Sequence, residues 1–136
     1  MKLLVTGGTG FLGKAVARAF SNGIFLGSAD LNLSHLQSVH EYFNREKPDV
    51  VIHLAASVGG ITKNIAQPAD ILINNTQIDA NILDAVRHHS VSHFIPILST
   101  CMYPDELASN QYGNEHCNLD CVVQVELVVN QHPTSF

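Results

Sequence analysis

The stretch Val5-Thr6-Gly7-Gly8-Thr9-Gly10-Phe11-Leu12-Gly13 decides how this chain is read. It follows the short apolar run Leu3-Leu4-Val5, which has the pattern of a buried parallel strand. It opens a segment in which Phe11, Leu12, Ala15, Val16, Ala19 and Phe20 recur at helical spacing, ended by Asn22-Gly23. A strand, a glycine-rich turn and a helix in that order form a phosphate cradle. Gly7 permits the tight turn, Gly10 lets the backbone approach a pyrophosphate, and Gly13 allows close helix–strand packing. The anion then meets the unpaired N–H groups and positive dipole end of the helix. Thr9, Phe11 and Leu12 belong to the same cofactor-binding turn.

Outward from this turn the alternation continues. Ile24-Phe25-Leu26 reads as a second strand. Ser34 with Gln37 has the form of a capping box, opening a helix that buries Leu36, Val39 and Phe43. Val50 to Leu54 is a third strand, the spacing of Ile71, Asn75, Ile78, Ile82 and Val86 predicts a third helix, and His93 to Leu98 is a fourth strand. Strands separated by helices of this length imply an α/β fold, a Rossmann-like parallel sheet with flanking helices and right-handed crossovers. About four core strands are legible, so the sheet is expected to be incomplete. Pro96 sits inside the fourth strand, where a central position loses a ladder hydrogen bond. The alternation stops near Asn110, although Cys121 to Val129 has the pattern of a half-buried strand able to cover the sheet edge.

Composition narrows the classes of function. The chain has 136 residues, 46% hydrophobic and 14% charged, which suits one globular domain. A net charge of −5 argues against a nucleic-acid partner. No apolar run approaches the roughly 18 residues that span a bilayer. Thr6-Gly7-Gly8 interrupts the N-terminal apolar run too soon for a signal-peptide core. A cytoplasmic protein without membrane contact is expected, and three cysteines agree with a reducing compartment.

Three further segments bear on a site. Asp30 is the acid nearest the end of the second strand, where an acid binds a ribose 2′-OH, but it also suits a turn with Asn32. Leu31 follows it as a candidate contact. The strand end itself, Gly27-Ser28, is small and neutral and leaves room for a 2′-phosphate, so NADP is favoured over NAD, although no arginine stands nearby. Leu54-Ala55-Ala56-Ser57-Val58-Gly59-Gly60-Ile61 follows the third strand, where small residues let a flat cofactor lie on the backbone; a plain loop has the same composition. Ser99-Thr100-Cys101 follows the fourth strand; a hydroxyl there can bond a carbonyl and a thiol can move a proton, yet such a run alone is more often structural. His116, Cys117, Cys121 and His132 have zinc-ligand chemistry but fit no finger spacing, so no metal is expected.

Through MKLLVTGGTGFLGKAV, DVVIHLAASVGGI, Asn64, Pro68-Ala69-Asp70, Asn75 and LSTCMYPD, the chain resembles the extended short-chain dehydrogenases/reductases. Within them it resembles the GDP-L-fucose synthase group, epimerase-reductases of GDP-4-keto-6-deoxy-mannose. The resemblance runs from residue 1 to about 110. It implies a GDP-sugar substrate, NADPH as reductant and a homodimer. It assigns Ser99 to hydrogen bonding of the ketone and Cys101 to proton transfer during epimerisation. It assigns Gly7, Gly10, Gly13, Asp30, Ala55 and Ala56 to cofactor contacts, and Asn75 to support of the site, with Val58 and Gly59 beside it. An NAD-dependent sugar-nucleotide epimerase or dehydratase is the nearest rival, separated by the Val-Gly-Gly-Ile and Ser-Thr-Cys segments.

The family also depends on a Tyr-x-x-x-Lys pair. Here Tyr103 is followed at that spacing by Leu107 and Tyr112 by His116, and lysine occurs only at Lys2, Lys14, Lys47 and Lys63. The chain is therefore expected to be the N-terminal part of such an enzyme, inactive alone. Residues 1–110 read as a partial dinucleotide-binding domain, and 111–136 as an atypical tail of the kind a truncation, frameshift or aberrant splice leaves. A catalytically inactive nucleotide-binding fragment is the alternative.

Overall fold

The structure, a computed structural model, describes residues 1–99, 122–124 and 127–128, with the backbone alone for Ser99 and the two later segments. Strands β1 (Leu3–Thr6), β2 (Ile24–Leu26), β3 (Val50–His53) and β4 (His93–Ser99) alternate with helices α1 (Phe11–Ala19), α2 (Leu36–Glu46), α3 (Ile61–Ala66) and α4 (Pro68–His88). The four strands are parallel in the order β2-β1-β3-β4. Leu26, Thr6, His53 and Pro96 lie in register across the sheet, a row that marks its C-terminal rim. Strand order reverses between β1 and β3, the place where open α/β sheets bind ligands.

Right-handed crossovers put α1 on one face and α2 and α4 together on the other. The second face is the sealed core. Leu4, Val51 and Phe94 from the strands meet Val39 and Phe43 of α2 and Ile82, Ala85 and Val86 of α4, all at most 2% exposed. Each of these side chains except Ala85 contributes roughly 1.5–3 kcal/mol by leaving water. On α1 only Gly13 is buried; Phe11 is 92% exposed and Phe20 54%. The apolar stripe read from the sequence is therefore real as a spacing but is not a core face.

Two local expectations are corrected. The N-cap of α2 is His35, whose ring accepts from the Ser38 N–H, and not Ser34. Asn32 has already taken the Ser34 N–H, and Gln37 donates forward to Glu41 instead of back to the cap. Leu36, on the solvent side of that first turn, is 45% exposed and not buried. The short helix α3, in a segment left without an element from sequence, fills the way into α4.

Beyond the parallel strands, β5 (Val122–Gln124) and β6 (Leu127–Val128) pair antiparallel with the free edge of β4. β6 lies against His93 and Phe94, and β5 against Ile97 to Ser99. Ile95 and Pro96 fall between the two pairings. Pro96 has no N–H to donate, yet the strand runs through it, paired with His53 of β3.

Where α2 crosses the last turn of α4, polar rings replace apolar packing. His40 Nε2 lies 2.9 Å from Asp84 Oδ2, and His40 Nδ1 2.9 Å from His89 Nε2. The bond from His40 holds the Asp84 carboxyl below its usual range. Burial, with His40 and His88 adding to it, holds His89 below the usual imidazole value. The pair His88-His89 closes α4, where partial positive charge is favoured. Among the described residues no helix is long and apolar enough to cross a membrane.

Candidate functional site

A crevice of about 640 Å³ opens over the rim between β1 and β3. Its floor is the turn Gly7, Thr9, Gly10, Phe11 and Leu12; one wall is Leu54 to Val58 after β3, and the other is Leu26 to Ser28 and Leu31 to Ser34 after β2. Asn74 and Ile78 of α4 close the back.

The turn needs its glycines for distinct reasons. Gly7 adopts a left-handed φ of +70°, and a Cβ there would stand 2.7–2.8 Å from backbone atoms of Leu54 and Ala55. Gly13 carries α1 so close to the turn that a Cβ would collide with the Gly8 backbone. Over Gly10 the space is open, with only the Gly7 carbonyl at 3.1 Å from a notional Cβ. Gly10 is also the N-cap of α1, so the first-turn N–H groups follow it without intrahelical acceptors. An anion seated over Gly10 meets those donors and the dipole.

The walls are held by α4. Asn75 brackets Ser57, accepting from its N–H at 2.6 Å and donating to its carbonyl at 3.1 Å. Asn81, buried, donates to the Leu33 carbonyl at 2.8 Å and fixes the opposite wall. Below the floor, Thr6 and His53 end β1 and β3 in register. Asp79 can only accept, so His53 carries its proton on Nε2, 3.0 Å from Asp79 Oδ1. His53 Nδ1 then accepts from the Thr6 hydroxyl at 2.5 Å. This chain of bonds ties the two strand ends together beneath the cradle. Among the described residues no buried side-chain polar atom lacks a partner.

The residues read from sequence thus fall into four groups. Gly7, Thr9, Gly10, Phe11, Leu12, Leu31, Leu54, Ala55, Ala56 and Val58 all line the crevice. Gly13 lies beneath it, Asn75 supports it, and Gly59 packs over the Lys63 side chain at the start of α3. Asp30 does not line it: its carboxylate turns back to accept from the Gly27 N–H at 2.7 Å, capping the turn after β2. Ser99 ends β4, three positions past the rim row, and Cys101 lies outside the described residues. Sequence reading missed Asn81, Asp79 and the Thr6–His53 pair. The last left a signal, since each is a polar residue ending an otherwise apolar strand.

The chain matches the NAD dependent epimerase/dehydratase family over residues 3–120. It belongs to that family. A probable GDP-L-fucose synthase of Drosophila melanogaster is 40% identical over 112 residues, covering 77% of this chain and 35% of that protein. The GDP-L-fucose synthase of Azorhizobium caulinodans is 40% identical over 107 residues, covering 76% of this chain and 34% of that protein. Among solved structures, a GDP-L-fucose synthetase of Naegleria fowleri bound to NADP superposes with a TM-score of 0.68 at 38% identity. It covers 76% of this chain and 33% of its own. A GDP-mannoheptose C4 reductase of Campylobacter jejuni with NADP bound gives 0.71 at 28% identity, covering 76% and 32%. The resemblance to the GDP-L-fucose synthases therefore stands, and this member of the family spans about a third of the length of the relatives it matches.

Proposed function

We propose that this chain binds NADP(H) in the crevice between β1 and β3 and forms the cofactor-binding part of an epimerase-reductase acting on a GDP-linked keto sugar. The observation that carries the reading is the open space over Gly10, faced by the first-turn amides of α1 and walled by Ala55 and Ala56. The residues fit such a group. Gly10 to Leu12 hold the pyrophosphate, Ser28 and Asn32 supply neutral polar contacts at the ribose side, and the alanines take the flat end against backbone. A bound nicotinamide supplies hydride. Ser99, at the end of β4, is assigned to the substrate carbonyl and Cys101 to proton transfer, both through the likeness to the GDP-L-fucose synthases. NADP is favoured over NAD because Gly27-Ser28 brings no carboxylate to the ribose and Asp30 is engaged in its own turn.

Residues 1–136 contain no Tyr-x-x-x-Lys pair, which supports a second reading for this polypeptide by itself: binding without turnover. Reduction of a ketone needs a proton as well as a hydride. Titration calorimetry tests the first reading. Wild type is expected to bind NADPH, and Gly10→Val to lose it, because the side chain fills the anion's space. Equal affinity in both overturns the site. NADH binding tenfold tighter, about 1.4 kcal/mol, overturns only the cofactor preference. For the second reading, NADPH oxidation that depends on a GDP-keto-sugar and disappears in Ser99→Ala overturns inactivity.

A further inference from the structure

The histidine cluster between α2 and α4 takes no part in the crevice. It sits at the last turn of α4, which leads into the start of β4, at the end of the sheet opposite the glycine turn. We propose that His40, Asp84 and His88 form a site for a divalent first-row transition cation of the Zn²⁺ or Cu²⁺ class, bridging α2 to α4.

Each of the three offers one ligand atom, and the three atoms lie within 4.8 Å of one another. Asp84 and His88 stand at i and i+4 on one helix, so they share a face. His40 arrives from the other helix, between Val39 and Phe43, both fully buried, so its backbone is fixed. A tetrahedral site with bonds of about 2.0–2.1 Å places its ligands about 3.4 Å apart. His40 Nε2 and Asp84 Oδ2 are already 2.9 Å apart, and His88 Nδ1 is 3.4 Å from Asp84 Oδ1. The His88 side chain is 51% exposed, and it takes a metal by releasing the bond its Nδ1–H gives to the Asp84 carbonyl. Two imidazoles and one carboxylate suit Zn²⁺, Cu²⁺ or Ni²⁺, whereas Mg²⁺ and Ca²⁺ ask for oxygen.

The surroundings supply what such ligands need. Without metal, His40 gives its Nε2 proton to Asp84, and its Nδ1 accepts from His89 Nε2. With metal on Nε2, His40 carries its proton on Nδ1 instead and His89 shifts its own from Nε2 to Nδ1, so the second bond reverses: His40 Nδ1–H donates to His89 Nε2. A ligand histidine oriented by a partner on its other nitrogen is the usual support of a metal centre. Arg87 also holds Asp84 Oδ1, at 3.0 Å, but it is 73% exposed and can withdraw. The Asp84 carbonyl, 2.8 Å from His88 Nδ1, is the remaining polar contact in the cluster.

The test is Zn²⁺ titration of the full chain, freed of any affinity tag, against a chromophoric chelator, with Co²⁺ absorption as a second readout. One Zn²⁺ per chain is expected, with visible Co²⁺ bands, and Mg²⁺ in excess is expected not to compete. His88→Ala, the substitution least disruptive to packing, should weaken Zn²⁺ binding at least about tenfold while leaving the metal-free melting curve unchanged. His40→Gln should do the same; if it disturbs folding, His88→Ala decides. Cys101→Ser, Cys117→Ser and Cys121→Ser together should leave binding intact. No Zn²⁺ binding by wild type, undiminished binding in His88→Ala, or binding lost in the cysteine variant overturns the proposal.

Discussion

Gly7 and Gly10 sit three residues apart in the same turn, and replacing each with alanine should have opposite consequences. At Gly7 the backbone is left-handed, with φ of +70°, which costs an L-residue about 1–2 kcal/mol. The new methyl would also stand 2.7 Å from Ala55 N and Leu54 C and 2.8 Å from Leu54 O. All three are backbone atoms of the chain leaving β3, so no side chain can swing away, and β1 and β3 must shift apart. Overpacking of that kind costs about 1–3 kcal/mol. Gly7→Ala should therefore lose about 2–5 kcal/mol, a large share of the about 5–15 kcal/mol that stabilises an ordinary domain. Gly10 has φ of −75° and only the Gly7 carbonyl nearby, so Gly10→Ala should cost under about 1 kcal/mol while weakening NADPH binding. Urea unfolding followed by circular dichroism reads the first effect, and calorimetry the second. A Gly7→Ala midpoint within about 0.5 kcal/mol of wild type would refute the argument, because the clash and the strain would both have to be relieved at no cost.

Asn81→Ala leaves the Leu33 carbonyl without its donor and should destabilise by about 1–3 kcal/mol, read by thermal or urea unfolding. Lys2 first and Arg45 second hold Glu46 below its usual carboxylate range. Its contribution is thus fully present above the unfolded value and fades as pH falls through the lowered one. Glu46→Gln should remove that part of the acid sensitivity, and an identical stability–pH curve in both proteins would contradict it. Deleting residues 111–136 strips β5 and β6 from the edge of β4, so the shortened chain should aggregate or lose its cooperative melt. A monomer with unchanged melting temperature would mean the edge needs no cover.

What could be read in advance follows the range of the forces involved. Strand runs such as Ile24-Phe25-Leu26 and the glycine turn are local, set by neighbours within a few residues, and β2 coincides with its expected bounds. The crevice follows from them, since its floor and both walls are segments that follow strand ends. The bonds that brace it are not local. Thr6 meets His53 across 47 residues, and Asn81 meets Leu33 across 48. No periodicity carries such pairings, and the His40–Asp84 contact, across 44, is hidden for the same reason. Exposure is not legible in sequence where it depends on what covers an element. Leu36 has the spacing of a core residue but lies on the first turn of α2, facing water. Pro96 shows a general rule yielding to circumstance: it lies inside β4, in register with His53 of β3, although it has no N–H to donate.

The two asparagines of α4 make the helix a ruler. Asn75 grips one wall of the crevice and Asn81 the other, six residues apart, about 9 Å along the axis. The gap between the walls is thus set by the pitch of a regular helix and not by the loops that form them. One residue inserted between the two grips would advance Asn81 by about 1.5 Å and swing it through about 100°. Asn75 would keep its hold on Ser57 while Leu33 lost its own. Substitutions in either wall can change what the crevice touches, but its span is written in α4.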